Sequence, residues 1–186
     1  MAQTPSTMRA LGSIAPDFIL PDVVSGKHIS LQQLKENKKA VVVMFICNHC
    51  PFVKHIAQEL ASLANDYIVK DISFVAISSN DVVNYPDDAP DKMKAFAQAH
   101  HYSFPYLYDE SQAVAKAYDA ACTPDFFIYD ASLCLVYRGQ LDDSRPSNSI
   151  PVTGKDMRTT LDHIVKNEPV PAEQKPSIGC NIKWKK

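Results

Sequence analysis

Two long apolar runs along the chain differ in period from the segment that joins them. Residues 40–46 and 72–77 are mostly apolar and rich in β-branched side chains, which is typical of strands buried on both faces of a sheet. Between them, apolar residues recur every three or four positions over residues 51–64. This period predicts an amphipathic helix of about four turns that packs one face against the sheet.

Shorter patterns on either side complete a series of alternating strands and helices. Apolar runs bounded by turn residues predict further strands, and segments with a helical period or an acidic first turn predict further helices. The strands are expected at residues 18–20, 28–30, 106–108, 125–129 and 133–138, and the helices at residues 31–36, 91–100, 111–118 and 154–166. The first two of these strands would form an N-terminal hairpin. This order predicts an α/β protein whose central mixed sheet has helices on both faces.

The two ends of the chain lack such patterns. Residues 1–11 are expected to form a flexible arm and residues 12–167 a single domain, since 186 residues are few for two hydrophobic cores. Residues 168–186 contain three prolines and no helical period, so an extended tail is predicted there. Ile178, Ile182 and Trp184 supply apolar anchors, and we therefore expect the tail to dock on the domain.

The charge balance argues against two classes of partner. The chain has 19 Lys and Arg against 21 Asp and Glu, a formal net charge of −2, so no basic field is expected for nucleic acid or an anionic membrane surface. No apolar run approaches the length of a membrane-spanning helix, and the N-terminal residues lack the apolar core of a secretory signal. We therefore expect a cytoplasmic protein with neither a nucleic-acid nor a membrane partner.

Two of the five cysteines lie in the motif Cys47-Asn48-His49-Cys50. The motif joins the first buried strand to the following helix, where unpaired N–H groups and the helix dipole favour a thiolate. Cys47 is therefore predicted to be the attacking thiol, and Cys50, one turn later, would resolve the mixed disulfide. His49 can add positive charge or a donor beside the thiolate, and Pro51 suits the first helical turn, where an N–H is not needed.

Four segments carry a resemblance to a known family. They are residues 15–18 (Ala-Pro-Asp-Phe), 47–53 (Cys-Asn-His-Cys-Pro-Phe-Val), 122–127 (Cys-Thr-Pro-Asp-Phe-Phe) and 137–146 (Tyr-Arg-Gly-Gln-Leu-Asp-Asp-Ser-Arg-Pro). With these segments, the chain from residue 12 onward resembles the thioredoxin-like redoxins of the alkyl hydroperoxide reductase and thiol-specific antioxidant superfamily, with a C-x-x-C-P motif. The resemblance implies a thioredoxin-like fold.

The resemblance also implies an activity and the residues that support it. Pro124 would have a cis peptide bond and lie near the redox-active cysteines, and the backbone of Thr123 would pair with an extended substrate segment as a strand does. The implied activity is that of a thiol–disulfide oxidoreductase, which reduces the disulfide of a protein or of a small thiol compound. An unidentified electron donor would regenerate it, and no cofactor is expected.

A peroxidase function is the nearest alternative. In peroxiredoxins, which share this fold, the peroxide-reactive cysteine would correspond to Cys50. The proline and the arginine typical of their sites are replaced here by Val43 and Pro124. Without a guanidinium to stabilise the charge that develops as the O–O bond breaks, fast peroxidase rates are not expected.

A copper- or zinc-binding carrier of the same fold is a second alternative, because soft thiolates suit both metals. The candidate ligands that are close in sequence are Cys47, His49, Cys50 and His55. Cys122 and Cys180 lack a second cysteine at C-x-x-C spacing, so the other half of a four-ligand zinc site is missing. No bound metal is therefore expected.

The two cysteines beside and beyond the Thr123-Pro124 segment suggest a further hypothesis. If Pro124 adjoins the active site, Cys122 must lie near it. The tail is long enough to bring Cys180 to the same place, because an extended chain spans about 3.3 Å per residue. We therefore hypothesise that Cys122 and Cys180 form a second redox pair or a relay to the C-x-x-C motif.

Overall fold

The computed structural model describes residues 3–186, so Met1 and Ala2 of the expected arm lie outside the described residues. In chain order, the strands are β1 (Thr4–Pro5), β2 (Ile19–Pro21), β3 (His28–Ser30), β4 (Ala40–Phe45), β5 (Ile72–Ser78), β6 (Tyr106–Tyr108), β7 (Cys122–Thr123), β8 (Asp125–Asp130), β9 (Leu135–Gly139) and β10 (Ile178–Asn181). The helices are α1 (Leu31–Lys35), α2 (Pro51–Ile68), α3 (Pro90–Ala99), α4 (Ala113–Ala117) and α5 (Lys155–Val165), and a 3₁₀ turn spans Pro86–Asp88.

The central sheet has five strands in the order β6-β5-β4-β8-β9. The middle strand, β4, pairs in parallel with β5 and antiparallel with β8, and all its residues are buried. Its side chains alternate between the two faces of the sheet. Val42 and Met44 pack in the core beneath α2, α3 and α5, whereas Val41 and Val43 pack in the core beneath α1 and α4. The predicted mixed sheet with helices on both faces is confirmed.

The helix after the cysteine motif is longer than its apolar period predicts. α2 continues to Ile68, because Tyr67 is also buried and its hydroxyl donates to the Asp162 carboxylate of α5 at 2.6 Å. The N-terminal hairpin is formed by β2 and β3, which pair antiparallel as predicted. Among the described helices, none combines the length and the hydropathy that a membrane span requires.

The two ends of the described chain meet in a small second sheet of order β1-β10-β7. Residues 4–5 of the expected arm form β1, and β10 lies between β1 and β7, antiparallel to both. The sequence pattern contains no signal for β10, because its partner strands come from distant parts of the chain. Gly179 permits the close approach, since a Cβ there would lie 2.0 Å from the carbonyl oxygen of Thr123.

Candidate active site

The two motif cysteines lie where the central strand ends and α2 begins. The end of β4 is held in register by the N–H of Ile46, which donates to the carbonyl of Ile77 at 3.0 Å. Cys47 follows directly. Cys50 is the N-cap residue of α2, and Pro51 takes the first helical position. Both sulfur-bearing residues are buried, with 1% of Cys47 and 0% of Cys50 exposed.

A buried carboxylate fixes the backbone of the motif. Asp88 is fully buried in the 3₁₀ turn, and its Oδ1 accepts the N–H groups of Asn48 at 2.7 Å and His49 at 3.2 Å. Its Oδ2 accepts the side-chain amide of Asn80 at 2.8 Å and lies 2.5 Å from Nδ1 of His49. Burial alone would raise the pKa of Asp88, but the hydrogen bonds from His49 and Asn80 outweigh it and lower the pKa. Asp88 therefore stays a carboxylate and anchors the loop.

The imidazole of His49 lies between this carboxylate and the first sulfur. Its Nδ1 is 3.9 Å from Sγ of Cys47, and its ring stacks on Tyr85 with a centroid separation of 5.5 Å. The hydrogen bond to Asp88 raises the pKa of His49, while partial burial opposes the rise. The charged form of His49 is thus favoured next to the cysteine motif.

Cys50 lies between two other thiols. Its Sγ is 3.1 Å from Sγ of Cys180. A hydrogen bond from Cys47 is the largest influence and lowers the pKa of Cys50 to about 5; burial opposes it, and hydrogen bonds from the Cys180 thiol and the N–H of Val53 lower it further. The same hydrogen bond, followed by burial, raises the pKa of Cys47 well above its usual value. Of the two motif cysteines, Cys50 is therefore the one whose thiolate form is favoured.

This position of the charge differs from the prediction that Cys47 carries the thiolate. The N-cap of α2 is Cys50, and the N–H of Val53 in the first helical turn donates to it. The sequence gives no sign that Cys180 adds another donor. The two sulfurs nevertheless share a hydrogen bond. A proton that moves along it transfers the charge to Cys47, and the assignment of attack to Cys47 stays a prediction.

The segment around the predicted cis proline packs against both sulfurs. The peptide bond between Thr123 and Pro124 is cis, as the resemblance implies. Oγ1 of Thr123 lies 3.3 Å from Sγ of Cys47, and its carbonyl oxygen accepts the Cys50 thiol at 3.1 Å. As a thiol, Cys50 thus donates to the backbone of Thr123 in β7. As a thiolate, it accepts hydrogen bonds from the Cys47 and Cys180 thiols.

Cys180 approaches the site from the tail, but on the side away from Cys122. In the β10–β7 pair, Cys180 lies opposite Thr123, and Asn181 lies opposite Cys122. Because neighbouring residues of a strand point to opposite faces, Cys122 and Cys180 do not share a face. Sγ of Cys122 contacts the carbonyl of Pro124 at 3.5 Å, and Sγ of Cys180 contacts that of Cys50. The register therefore does not favour the hypothesised Cys122–Cys180 pair.

The four metal-ligand candidates from the sequence do not assemble as a group. Nε2 of His55 is hydrogen-bonded to Oγ of Ser144 at 2.7 Å, because the side chain lies on the face of α2 that packs against that loop. Ligand atoms of Cys47, His49 and Asp88 do lie within 4.8 Å of one another. However, Nδ1 of His49 is only 2.5 Å from the Asp88 carboxylate, which is too close for two ligands that each bind zinc at about 2.0 Å in tetrahedral geometry. In this conformation the group is a hydrogen-bond network.

Several residues of the site carry no strong signal in the sequence. Asp88 and the hydroxyl of Tyr106, which donates to the Asn48 side chain at 3.1 Å, were not predicted. One clue is available: β4 and β5 are parallel neighbours, so the loops after them leave the same edge of the sheet. A polar segment after the second strand, beginning at Asn80, is then expected to meet the cysteine motif.

The charge on Cys50 can be measured directly by the ultraviolet absorbance of thiolates near 240 nm. We expect reduced protein to gain this absorbance as the pH rises through about 5, because the hydrogen bonds to Cys50 lower its pKa to that value. The step should be absent from Cys50→Ser and retained in Cys134→Ser, a matched control in the β8–β9 hairpin. A first step at about pH 8.5, the usual cysteine value, would contradict the assignment.

The geometry of this site can be compared with known proteins. A model of the AhpC/TSA family matches residues 11–138. The crystal structure of an uncharacterized conserved protein from Geobacillus kaustophilus is 59% identical, covers 100% of this chain and 97% of that chain, and has a TM-score of 0.97. That of a hypothetical protein from Sinorhizobium meliloti is 48% identical, covers 98% of each chain, and has a TM-score of 0.95. No curated protein matches the chain.

More distant structures share the fold. The thioredoxin domain of a thiol-disulfide oxidoreductase from Bacteroides vulgatus is 20% identical, with a TM-score of 0.58 over 69% of this chain and 87% of that chain. Other neighbours are named as a disulfide oxidoreductase and a peroxidoxin, both from Mycobacterium tuberculosis. The predicted thioredoxin-like fold is therefore confirmed.

Proposed function

Because the chain belongs to the AhpC/TSA family of thioredoxin-like redoxins, we propose that it is a thiol–disulfide oxidoreductase that uses Cys47 and Cys50 as its redox couple. The observation that carries this proposal is the position of both cysteines at the β4–α2 junction, where Oγ1 of Thr123 lies 3.3 Å from Sγ of Cys47 and the Thr123 carbonyl oxygen lies 3.1 Å from Sγ of Cys50. The proposed direction is the reduction of disulfides, as suits a reducing, cytoplasmic compartment. The names of two structural neighbours agree with this class of reaction.

In the proposed reaction, Cys47 attacks one sulfur of a substrate disulfide while its proton passes to the Cys50 thiolate. The substrate disulfide bond breaks, and its other sulfur leaves as a thiolate. Cys50 then attacks the Cys47 sulfur of the mixed disulfide, and its proton goes to the departing thiolate. The substrate gains two electrons and is released as two thiols, because the first leaving sulfur takes its proton from the solvent, and the enzyme is left with a Cys47–Cys50 disulfide. A dithiol donor would regenerate it by the reverse exchange.

Neighbouring groups support each step of this cycle. The charged form of His49 and Oγ1 of Thr123, 3.3 Å from Cys47, stabilise negative charge on the attacking sulfur. The backbone of Asn48 and His49 is held by Asp88, so the sulfurs keep their separation during the exchange. Because both cysteines are buried and β10 pairs with β7 beside Cys50, we expect β10 to move when a protein substrate binds.

Reduction of insulin disulfides by dithiothreitol, followed by turbidity, tests the activity. Catalytic amounts of the protein should shorten the lag before insulin precipitates. After oxidation by substrate, trypsin should release residues 40–54 as a single peptide that contains an internal Cys47–Cys50 disulfide. Failure to accelerate the reaction, together with two alkylated cysteines in that peptide, would overturn the proposal.

Peroxide is the competing substrate, because the lowered pKa belongs to Cys50, the cysteine that corresponds to the peroxide-reactive one in peroxiredoxins. Within residues 3–186, no arginine is hydrogen-bonded to the sulfur of either motif cysteine. We therefore expect the reduced protein to consume hydrogen peroxide slowly, without the stabilisation that a guanidinium gives to the breaking O–O bond. Stopped-flow rates with peroxide at or above those with a small disulfide would identify a peroxidase instead.

A further inference from the structure

The sulfur of Cys180 is held against the redox couple by a segment with contacts on both sides. Before it, the Ser177 hydroxyl donates to the carbonyl of Pro124 at 2.6 Å. After it, the N–H of Ile182 donates to the carbonyl of Ala121 at 3.2 Å, and the side chain of Ile182 is 99% buried in the core beneath α1 and α4. The 3.1 Å contact with Cys50 is therefore part of the fold of the tail.

The segment after β10 is fixed to the loops around the active site as well. The N–H of Lys183 donates to Oδ1 of Asn80 at 2.8 Å, and Asn80 also donates to the Asp88 carboxylate that holds the cysteine motif. The side-chain amide of Gln112 donates to the carbonyl of Lys183 at 2.8 Å. One network thus positions both Cys50 and the strand that carries Cys180.

We propose that Cys180 is a third redox thiol of this site, which exchanges with the Cys47–Cys50 disulfide to form a Cys50–Cys180 disulfide. This inference rests on the proposed redox couple. The sulfurs of Cys50 and Cys180 need to approach by only about 1 Å to reach the bonded distance of about 2.05 Å. Cys50 is then shared by two alternative disulfides, one with the motif and one with the tail.

The exchange conserves electrons and needs no external oxidant. The Cys180 thiolate attacks the Cys50 sulfur, the Cys47–Cys50 bond breaks, and the electron pair of that bond leaves with Cys47. The proton lost by Cys180 is taken up by Cys47, so that one thiol and one disulfide are present before and after.

The state of Cys50 controls when Cys180 can react. In the reduced protein, burial and then the neighbouring Cys50 raise the pKa of Cys180 to about 12, so Cys180 is a thiol that donates to the Cys50 thiolate. Once Cys50 is in a disulfide, it carries no negative charge, so its contribution to the raised pKa of Cys180 disappears. Cys180 thus becomes a better nucleophile when there is a disulfide for it to attack.

Tryptic mapping distinguishes the pairings in one digest. Trypsin releases three cysteine-containing peptides, residues 40–54, 117–138 and 167–183. The third stays whole because trypsin does not cut the bond between Lys175 and Pro176. A Cys47–Cys50 disulfide is internal to the first peptide, a Cys50–Cys180 disulfide links the first to the third, and a Cys122–Cys180 disulfide links the second to the third. The full-length protein is equilibrated with glutathione disulfide, its thiols are blocked in acid, and it is then digested.

In Cys47→Ser, we expect the link between residues 40–54 and 167–183 to be the main product, because Cys180 resolves the glutathione adduct of Cys50. The link should be lost in Cys50→Ser and kept in the control Cys134→Ser. In the wild-type protein, both the internal disulfide and the link should be present. Glutathione left on Cys50 of Cys47→Ser without the link would overturn the inference.

A second measurement does not depend on disulfide formation. Cys180→Ala removes a donor to the Cys50 thiolate, so the absorbance step near 240 nm should move to higher pH. An unchanged midpoint would contradict the proposed contact.

The tryptic map of the wild-type protein separates the failure of this inference from the failure of the proposed function. If the Cys47–Cys50 disulfide forms but residues 40–54 and 167–183 are not linked, only the role of Cys180 is disproved. If neither disulfide forms, the proposed function itself is disproved.

Discussion

Cys47→Ser is expected to lower the rate of insulin reduction by more than about 100-fold, as loss of an attacking nucleophile does in other enzymes. The hydroxyl of serine cannot attack a disulfide at neutral pH. Cys50→Ser should lose turnover in a different way, by accumulating a mixed disulfide at Cys47, because no neighbouring thiolate resolves it. Initial rates and the mass of the trapped adduct separate the two effects.

Cys134→Ser is the matched control, since Cys134 lies in the β8–β9 hairpin, where the backbone of Ile14 bridges to it. It should reduce insulin at the wild-type rate. If Cys47→Ser keeps the rate while Cys50→Ser forms no adduct at Cys47, then Cys50, the sulfur with the lowered pKa, is the attacking thiol.

Asp88→Asn should lower the free energy of unfolding by about 3 kcal/mol at neutral pH, because it leaves buried donors without their acceptor. Asp88 is fully buried and accepts hydrogen bonds from the backbone of Asn48 and His49 and from the side chain of Asn80. An amide keeps one oxygen and places an NH₂ group among these donors. Urea denaturation measures the loss, and Asp87→Asn, one residue away and exposed, is the control.

The difference in unfolding free energy between the wild type and Asp88→Asn should depend on pH. The folded pKa of Asp88 is lowered, so its contribution is present above the unfolded value of about 3.8 and is lost as the pH falls through the folded value. The folded pKa of His49 is raised, so its contribution is full below about 6.5 and is lost as the pH rises through the folded value. The gap between wild type and Asp88→Asn should therefore be widest between about pH 4 and 6.5. A gap that is independent of pH would contradict the ion pair.

The sequence allows the scaffold and the two motif cysteines to be predicted because both depend on local patterns. The apolar run of β4 and the helical period after Pro51 identify a buried strand that leads into a helix. A C-x-x-C motif at such a junction has few structural alternatives. Local patterns therefore suffice for the part of the site that is built from contiguous residues.

The remainder of the site depends on contacts between distant residues. Asp88 is 40 positions from Asn48, and Cys180 is 130 positions from Cys50. β10 is a four-residue strand with a central glycine, and its position is determined by β1 and β7 rather than by its own propensity. The Cys180 thiol is one of the groups that lower the pKa of Cys50, and the motif alone does not reveal this contact.

The place of β10 in the chain has a consequence for biosynthesis. Every other element described here is made before β10, and elements that emerge first from a ribosome can begin to fold first. β4, α2 and their two cysteines are thus able to assemble while the strand that covers them is still inside the exit tunnel. During that interval the nascent chain presents its dithiol without the strand that carries Cys180, and the site is complete only after β10 has paired with β7.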